Sequence, residues 1–95
     1  MLSEHYIQNQ IRLWCGDHGY PCFRCNVGKV LTAQNTWFDT GLPNGFSDLL
    51  ILLPGGKVIF CECKTAKGRQ REDQKNFQKL VEGLGFKYIM PHSLE

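Results

Sequence analysis

Ninety-five residues, 42% of them hydrophobic, suffice for one domain with a modest core, and the expectation is a single domain over residues 1–95. A formal net charge of +2 does not by itself mark a polyanion binder. The longest apolar run, Leu49 to Leu53, is far too short to span a bilayer, and Met1-Leu2-Ser3-Glu4-His5 lacks the regions of a signal peptide, so a cytoplasmic protein is expected.

Residues from about Leu2 to Asp17 read as a helix with Ser3 as N-cap. At about 100° per residue, Ile7, Ile11, Trp14 and Cys15 gather on one arc, and Glu4 falls within it. A carboxylate on that arc either has a partner or sits at the helix start with its head in water, and the wheel leaves both open. Gly16 and Gly19 end the helix. Pro21 to Asn26 and Lys29 to Ala33 read as two strands around Val27-Gly28, and Gln34 to Pro43 as a polar loop carrying Trp37 and Phe38. Those two aromatics either pin the loop to the core or meet a base or a partner chain.

Next comes a hairpin, about Ser47 to Lys64, turning at Pro54-Gly55-Gly56. Leu49 to Leu53 is apolar on both faces, as a strand covered on both sides would be. Centring the turn on Gly55 puts Leu53 opposite Lys57 and Asp48 opposite Glu62. Directly opposed residues share a face, and Lys64, two residues beyond Glu62, shares it too. A slip of one residue would send Asp48 to the other face. Two carboxylates so close repel unless a cation lies between them, and oxygen ligands suit Mg²⁺ or Mn²⁺. An Asp, a Glu and a Lys around a hard cation make a set suited to phosphodiester chemistry.

Gln70 to about Gly83 reads as a second helix with Phe77, Leu80, Val81 and Leu84 as its apolar stripe and Gln74 at the stripe's edge. Gly83 and Gly85 punctuate its end, and Phe86 to Met90 forms a last strand stopped by Pro91. The order helix, three or four strands, helix, strand implies a mixed sheet flanked by helices, with the last strand parallel to the hairpin's second strand. Lys64, Lys67, Arg69, Arg71, Lys75 and Lys79 fall in one stretch, diluted by Glu72 and Asp73. Beside a carboxylate pair this suits a polyanion, although a run of charge alone is usually a solvated face. The five cysteines are an odd number for a disulfide framework. Cys22 and Cys25 have zinc-ligand spacing, but they lie in a strand-like run, and Cys61 and Cys63 face away from Glu62. Small buried thiols are the simpler reading.

Taken as an ordered set, these residues resemble the PD-(D/E)xK nuclease superfamily, and within it the VRR-NUC family of virus-type replication and repair nucleases. The likeness rests on Glu4 with Ile7-Gln8, Arg24-x-Asn26-x-Gly28, Gly41-x-Pro43-x-Gly45-x-x-Asp48, Glu62-x-Lys64, and Gln74 followed by Phe77. Ser47 departs from the Pro that often precedes the Asp. The resemblance implies a restriction-endonuclease-like α/β fold with an αβββαβ core, in minimal stand-alone form. It implies catalytic Asp48, Glu62, Lys64 and Gln74, and a Mg²⁺ or Mn²⁺ site made by Glu4, Asp48, Glu62 and the Cys63 carbonyl. It further implies a homodimer that cuts branched DNA such as a four-way Holliday junction, leaving 5′-phosphate and 3′-hydroxyl ends, in a bacterial host's cytoplasm if viral in origin. No membrane and no organic cofactor is expected. Lys67, Arg69, Arg71, Lys75, Arg24 and Asn26 are the expected DNA contacts. Two alternatives stand beside this reading: a nickase or restriction-like nuclease with less structure selectivity, and a non-catalytic DNA-binding module.

Overall fold

Ser3 opens the first helix as an N-cap, its hydroxyl accepting from the Tyr6 N–H at 3.1 Å. The computed structural model describes residues 3–92; Leu2, where the sequence places the helix start, lies outside them. The elements are α1 (Glu4–Asp17), β1 (Cys22–Arg24), β2 (Lys29–Leu31), β3 (Trp37–Asp39), β4 (Leu49–Leu53), β5 (Lys57–Cys61), α2 (Glu72–Gly83) and β6 (Lys87–Ile89). Four strands form one sheet in the order β1-β4-β5-β6, and β2 and β3 form a separate two-stranded ribbon. Within the four-stranded sheet the chain order is αβββαβ, as expected, with the ribbon inserted between β1 and β4.

The β4–β5 register is the expected one: Leu53 lies opposite Lys57 and Leu49 opposite Cys61. β6 runs parallel to β5. The parallel pairing continues beyond the strands, since the Glu62 N–H donates to the Ile89 carbonyl at 2.9 Å and the Lys64 N–H to Pro91 at 3.1 Å. Pro91 therefore ends the strand without ending its hydrogen bonding, because its carbonyl still accepts.

The sheet's two faces carry two cores. Ile7, Ile11 and Cys15 of α1 pack on Leu49, Ile51, Cys61 and Cys63. Phe77 and Val81 of α2 pack with Tyr88, Phe46 and Phe60. Phe77 lies 4.7 Å from Phe46 and 5.4 Å from Phe60 between ring centroids, and such aromatic pairs add about 0.5–1.5 kcal/mol each beyond area burial. Phe46 thus ties the chain just before Asp48 to α2.

Several expectations change. Trp14 lies on the expected arc of α1 but is exposed, stacking on His18 at 4.0 Å at the helix end instead of entering the core. Leu80 and Leu84 are likewise exposed, because the cluster beneath α2 needs only Phe77 and Val81. The strands around Val27-Gly28 do not pair with each other: β1 joins β4, and β2 pairs with β3. The segment from Gln34 to Pro43 accordingly contains a strand. Its turn was readable in Asn35, at φ 63°, which closes a three-residue loop between Thr32 and Thr36.

Candidate metal centre

The site forms where β4 begins and β5 ends. Asp48 immediately precedes β4; its carbonyl accepts from the Cys25 N–H at 2.8 Å, which joins it to the end of β1. Its carboxylate Oδ2 accepts from the Cys63 N–H at 2.9 Å, which holds the two arms of the hairpin together at the site. Just before it, Ser47 is fully buried and donates its hydroxyl to the Leu49 carbonyl at 3.1 Å. Gly45 holds the approach. At φ 91° it is left-handed, and a Cβ there would collide with the Asp73 carbonyl at the start of α2.

Glu62 is only 1% exposed, and its Oε1 has no hydrogen-bond partner. Burial, then the neighbouring Asp48 carboxylate, push its acid up to about 9, against a smaller opposing pull from the Lys64 ammonium. A buried carboxylate with an orphaned oxygen needs either a proton or a cation. Glu4, in the first turn of α1, completes the set: one ligand oxygen each from Glu4, Asp48 and Glu62 lie within 4.8 Å of one another. Hard oxygen donors at this spacing fit a divalent cation of the Mg²⁺ or Mn²⁺ type. The helical wheel left two readings open at Glu4, and the structure shows part of each: the side chain is exposed, and one of its carboxylate oxygens still lies close to those of Asp48 and Glu62 at the end of the sheet.

Lys64 is 5% exposed and forms no ion pair among the described residues, so a buried ammonium stands beside the carboxylates without being bonded to one of them. Gln74 is buried in the first turn of α2, where its Oε1 accepts from the Arg71 N–H at 2.9 Å. Its visible task is to cap the helix, and no hydrogen bond joins it to Lys64 among the described residues. Lys67, Arg69, Arg71 and Lys75 are all exposed on the loop after β5 and the start of α2, and Arg71 pairs with Asp73 at 3.3 Å. Arg24 and Asn26 line a cleft on the other side of Asp48. The five cysteines are free thiols. Burial pushes Cys22 up to about 12, and a hydrogen bond to Cys63 together with burial raises Cys61, so both stay protonated and inert near neutral pH.

A solved structure described as a VRR_NUC domain superposes on this chain with a TM-score of 0.74, covering 95% of this chain and 84% of that one. The chain has the VRR_NUC fold. This is the restriction-endonuclease-like mixed α/β architecture inferred above, and the αβββαβ order accounts for it. Identity over the VRR_NUC match is 19%, so the likeness resides in the fold. No protein-family model matches the sequence, and no curated protein matches it either. No helix among the described residues is long and apolar enough to cross a membrane.

Proposed function

We propose that this chain is a metal-dependent endodeoxyribonuclease, and that as a homodimer it resolves branched DNA such as a four-way junction. The observation that carries the reading is the orphaned, buried Oε1 of Glu62 inside a three-carboxylate cluster on a VRR_NUC fold. Asp48, Glu62 and Glu4, with the Cys63 carbonyl, are the groups that would hold a Mg²⁺ or Mn²⁺ ion. When bound, such an ion supplies Lewis-acid chemistry, withdrawing charge from the phosphate and easing loss of a proton from water.

The protein's own groups do the rest. Lys64 places a fixed positive charge where negative charge builds on the phosphoryl oxygens, and its N–H groups orient the attacking water. Orientation and charge stabilisation are the roles assigned to Lys64. Gln74 holds the start of α2 in place against the site. Lys67, Arg69, Arg71 and Lys75 on one side, and Arg24 and Asn26 on the other, contact the DNA backbone.

The test is incubation with Mg²⁺ or Mn²⁺ and labelled single strand, duplex, flap and four-way junction DNA. Metal-dependent cleavage that is fastest on the junction and lost in Asp48→Ala is the expected result. Cleavage of plain duplex at the same rate would favour the nickase reading, and binding without cleavage of any of the four would leave a non-catalytic module.

A further inference from the structure

A cleft of about 280 Å³ opens beside Asp48, lined by Gln8, Arg24, Cys25, Asn26, Val27 and Val30. Its volume is just under the range of about 300–1,000 Å³ typical of ligand pockets, which suits one nucleotide unit and not a duplex. Among its described lining residues Asp48 is the one carboxylate, and that group already accepts from the Cys63 N–H. Arg24 stands at the mouth, its Nη2 3.4 Å from the His5 ring. The remaining polar lining, Gln8 and Asn26, offers amide donors and acceptors.

The cleft continues onto the ribbon. Val30 lines it, and the β2–β3 register puts Phe38 directly opposite Val30, on the same face. Leu31 and Trp37 are the next pair and therefore point away from the cleft. Phe38 is 58% exposed, yet a two-stranded ribbon is marginal by itself and gains nothing from an aromatic ring in water. The Thr40 N–H donates to the Gly28 carbonyl at 2.9 Å, which extends the β2–β3 pairing by one rung toward the cleft.

We propose that this cleft and the Val30–Phe38 face form a subsite for an unpaired nucleotide flanking the scissile phosphate, with Phe38 stacking on the base and Arg24 binding the adjacent phosphate. The proposal rests on the nuclease reading above and names the substrate feature that reading would select. Charge complementarity and continuity with the acidic cluster identify the occupant: the Arg24 guanidinium in the lining and the exposed Phe38 ring beside Val30 match phosphate and base. A base inside a duplex is stacked on its neighbours and cannot reach Phe38, whereas a base at a branch point or tail can.

The experiment measures fluorescence anisotropy in Ca²⁺ with two probes, a blunt duplex and the same duplex carrying a five-nucleotide unpaired tail of either polarity. Alanine at a base-stacking position typically weakens binding between about five-fold and about 100-fold. Phe38→Ala is therefore expected to weaken the tailed probe within that range and to leave the blunt probe within about two-fold. Phe38→Tyr should bind the tail as the wild type does, and Phe38→Leu, apolar but without a flat π face, should not. Equal loss on both probes, no loss on either, or a leucine variant as good as wild type would overturn the subsite. So would light scattering that shows Phe38→Ala separating a dimer, because the face would then belong to a second copy of the chain. These readouts need no cleavage, so a protein that prefers tails but cuts nothing defeats only the nuclease reading. One that cuts DNA without preferring tails defeats only this subsite.

Discussion

Glu62 is the residue on which site and stability meet. Its acid is raised from 4.5 to about 9, so the folded protein without metal binds a proton that the unfolded chain releases at lower pH. Its contribution to stability is complete below the unfolded value and is lost as pH rises through the folded one. With a chelator present, the melting temperature should therefore fall between about pH 5 and about pH 9. Glu62→Gln, which cannot ionise, should flatten that slope, raise the melting temperature at pH 8 and abolish cleavage. A slope that persists unchanged in Glu62→Gln would overturn the assignment of this titration to Glu62. Lys64 gives a separate expectation. Lys64→Ala should cost at least about 100-fold in cleavage, the usual scale for losing one preorganised charge-stabilising group, while calorimetry still shows metal binding. Lys64→Arg should remain poor, since a planar guanidinium does not replace a compact ammonium. Loss of metal binding in Lys64→Ala would contradict its assigned role.

At the scale of elements, the site depends on how α2 meets the segment before β4. Gly45→Ala meets both a left-handed backbone and the Asp73 carbonyl, so it should destabilise by more than about 1 kcal/mol, read from denaturant midpoints. It should also lower cleavage, because Phe46 and Asp48 follow in the same segment. A neutral result would mean that the start of α2 moves freely. Gln74, the residue after Asp73, caps the same helix end through the Arg71 N–H. The loop and first turn carrying Lys67, Arg69, Arg71 and Lys75 make a different kind of contact. Neutralising any one that touches phosphate should shallow the salt dependence of DNA binding by about one unit in a log–log plot. Unchanged slopes in all four variants would return the stretch to an ordinary solvated surface.

At the scale of the whole molecule, the proposed reading implies a symmetry: one carboxylate cluster would make one cut, and resolving a four-way junction needs two, related by the junction's own pseudo-two-fold axis. A homodimer supplies that relation with one kind of subunit. Light scattering should give about twice the chain mass, with paired nicks placed symmetrically about the branch point. A strict monomer at micromolar concentration, with and without junction DNA, would favour the nickase instead.

The placement of Asp48, Glu62 and Lys64 on one face was legible from residue order alone, because strand alternation has a period of two and a short glycine turn sets the register. The N-cap at Ser3 and the order helix, strands, helix, strand followed from equally local signals, whereas the αβββαβ core was implied by the family resemblance. The rest depended on contacts between distant parts of the chain. Nothing local to Glu4 says that its exposed carboxylate lies near Asp48 and Glu62; the packing of α1 on the sheet brings it there. Composition could not separate the ribbon from the main sheet, since Lys29-Val30-Leu31 offers the same short strand to β1 and to β3. The exposure of Leu80 and Leu84 shows the same limit. Periodicity says which residues share a helix face, whereas the area of sheet beneath α2 sets how much of that face is covered.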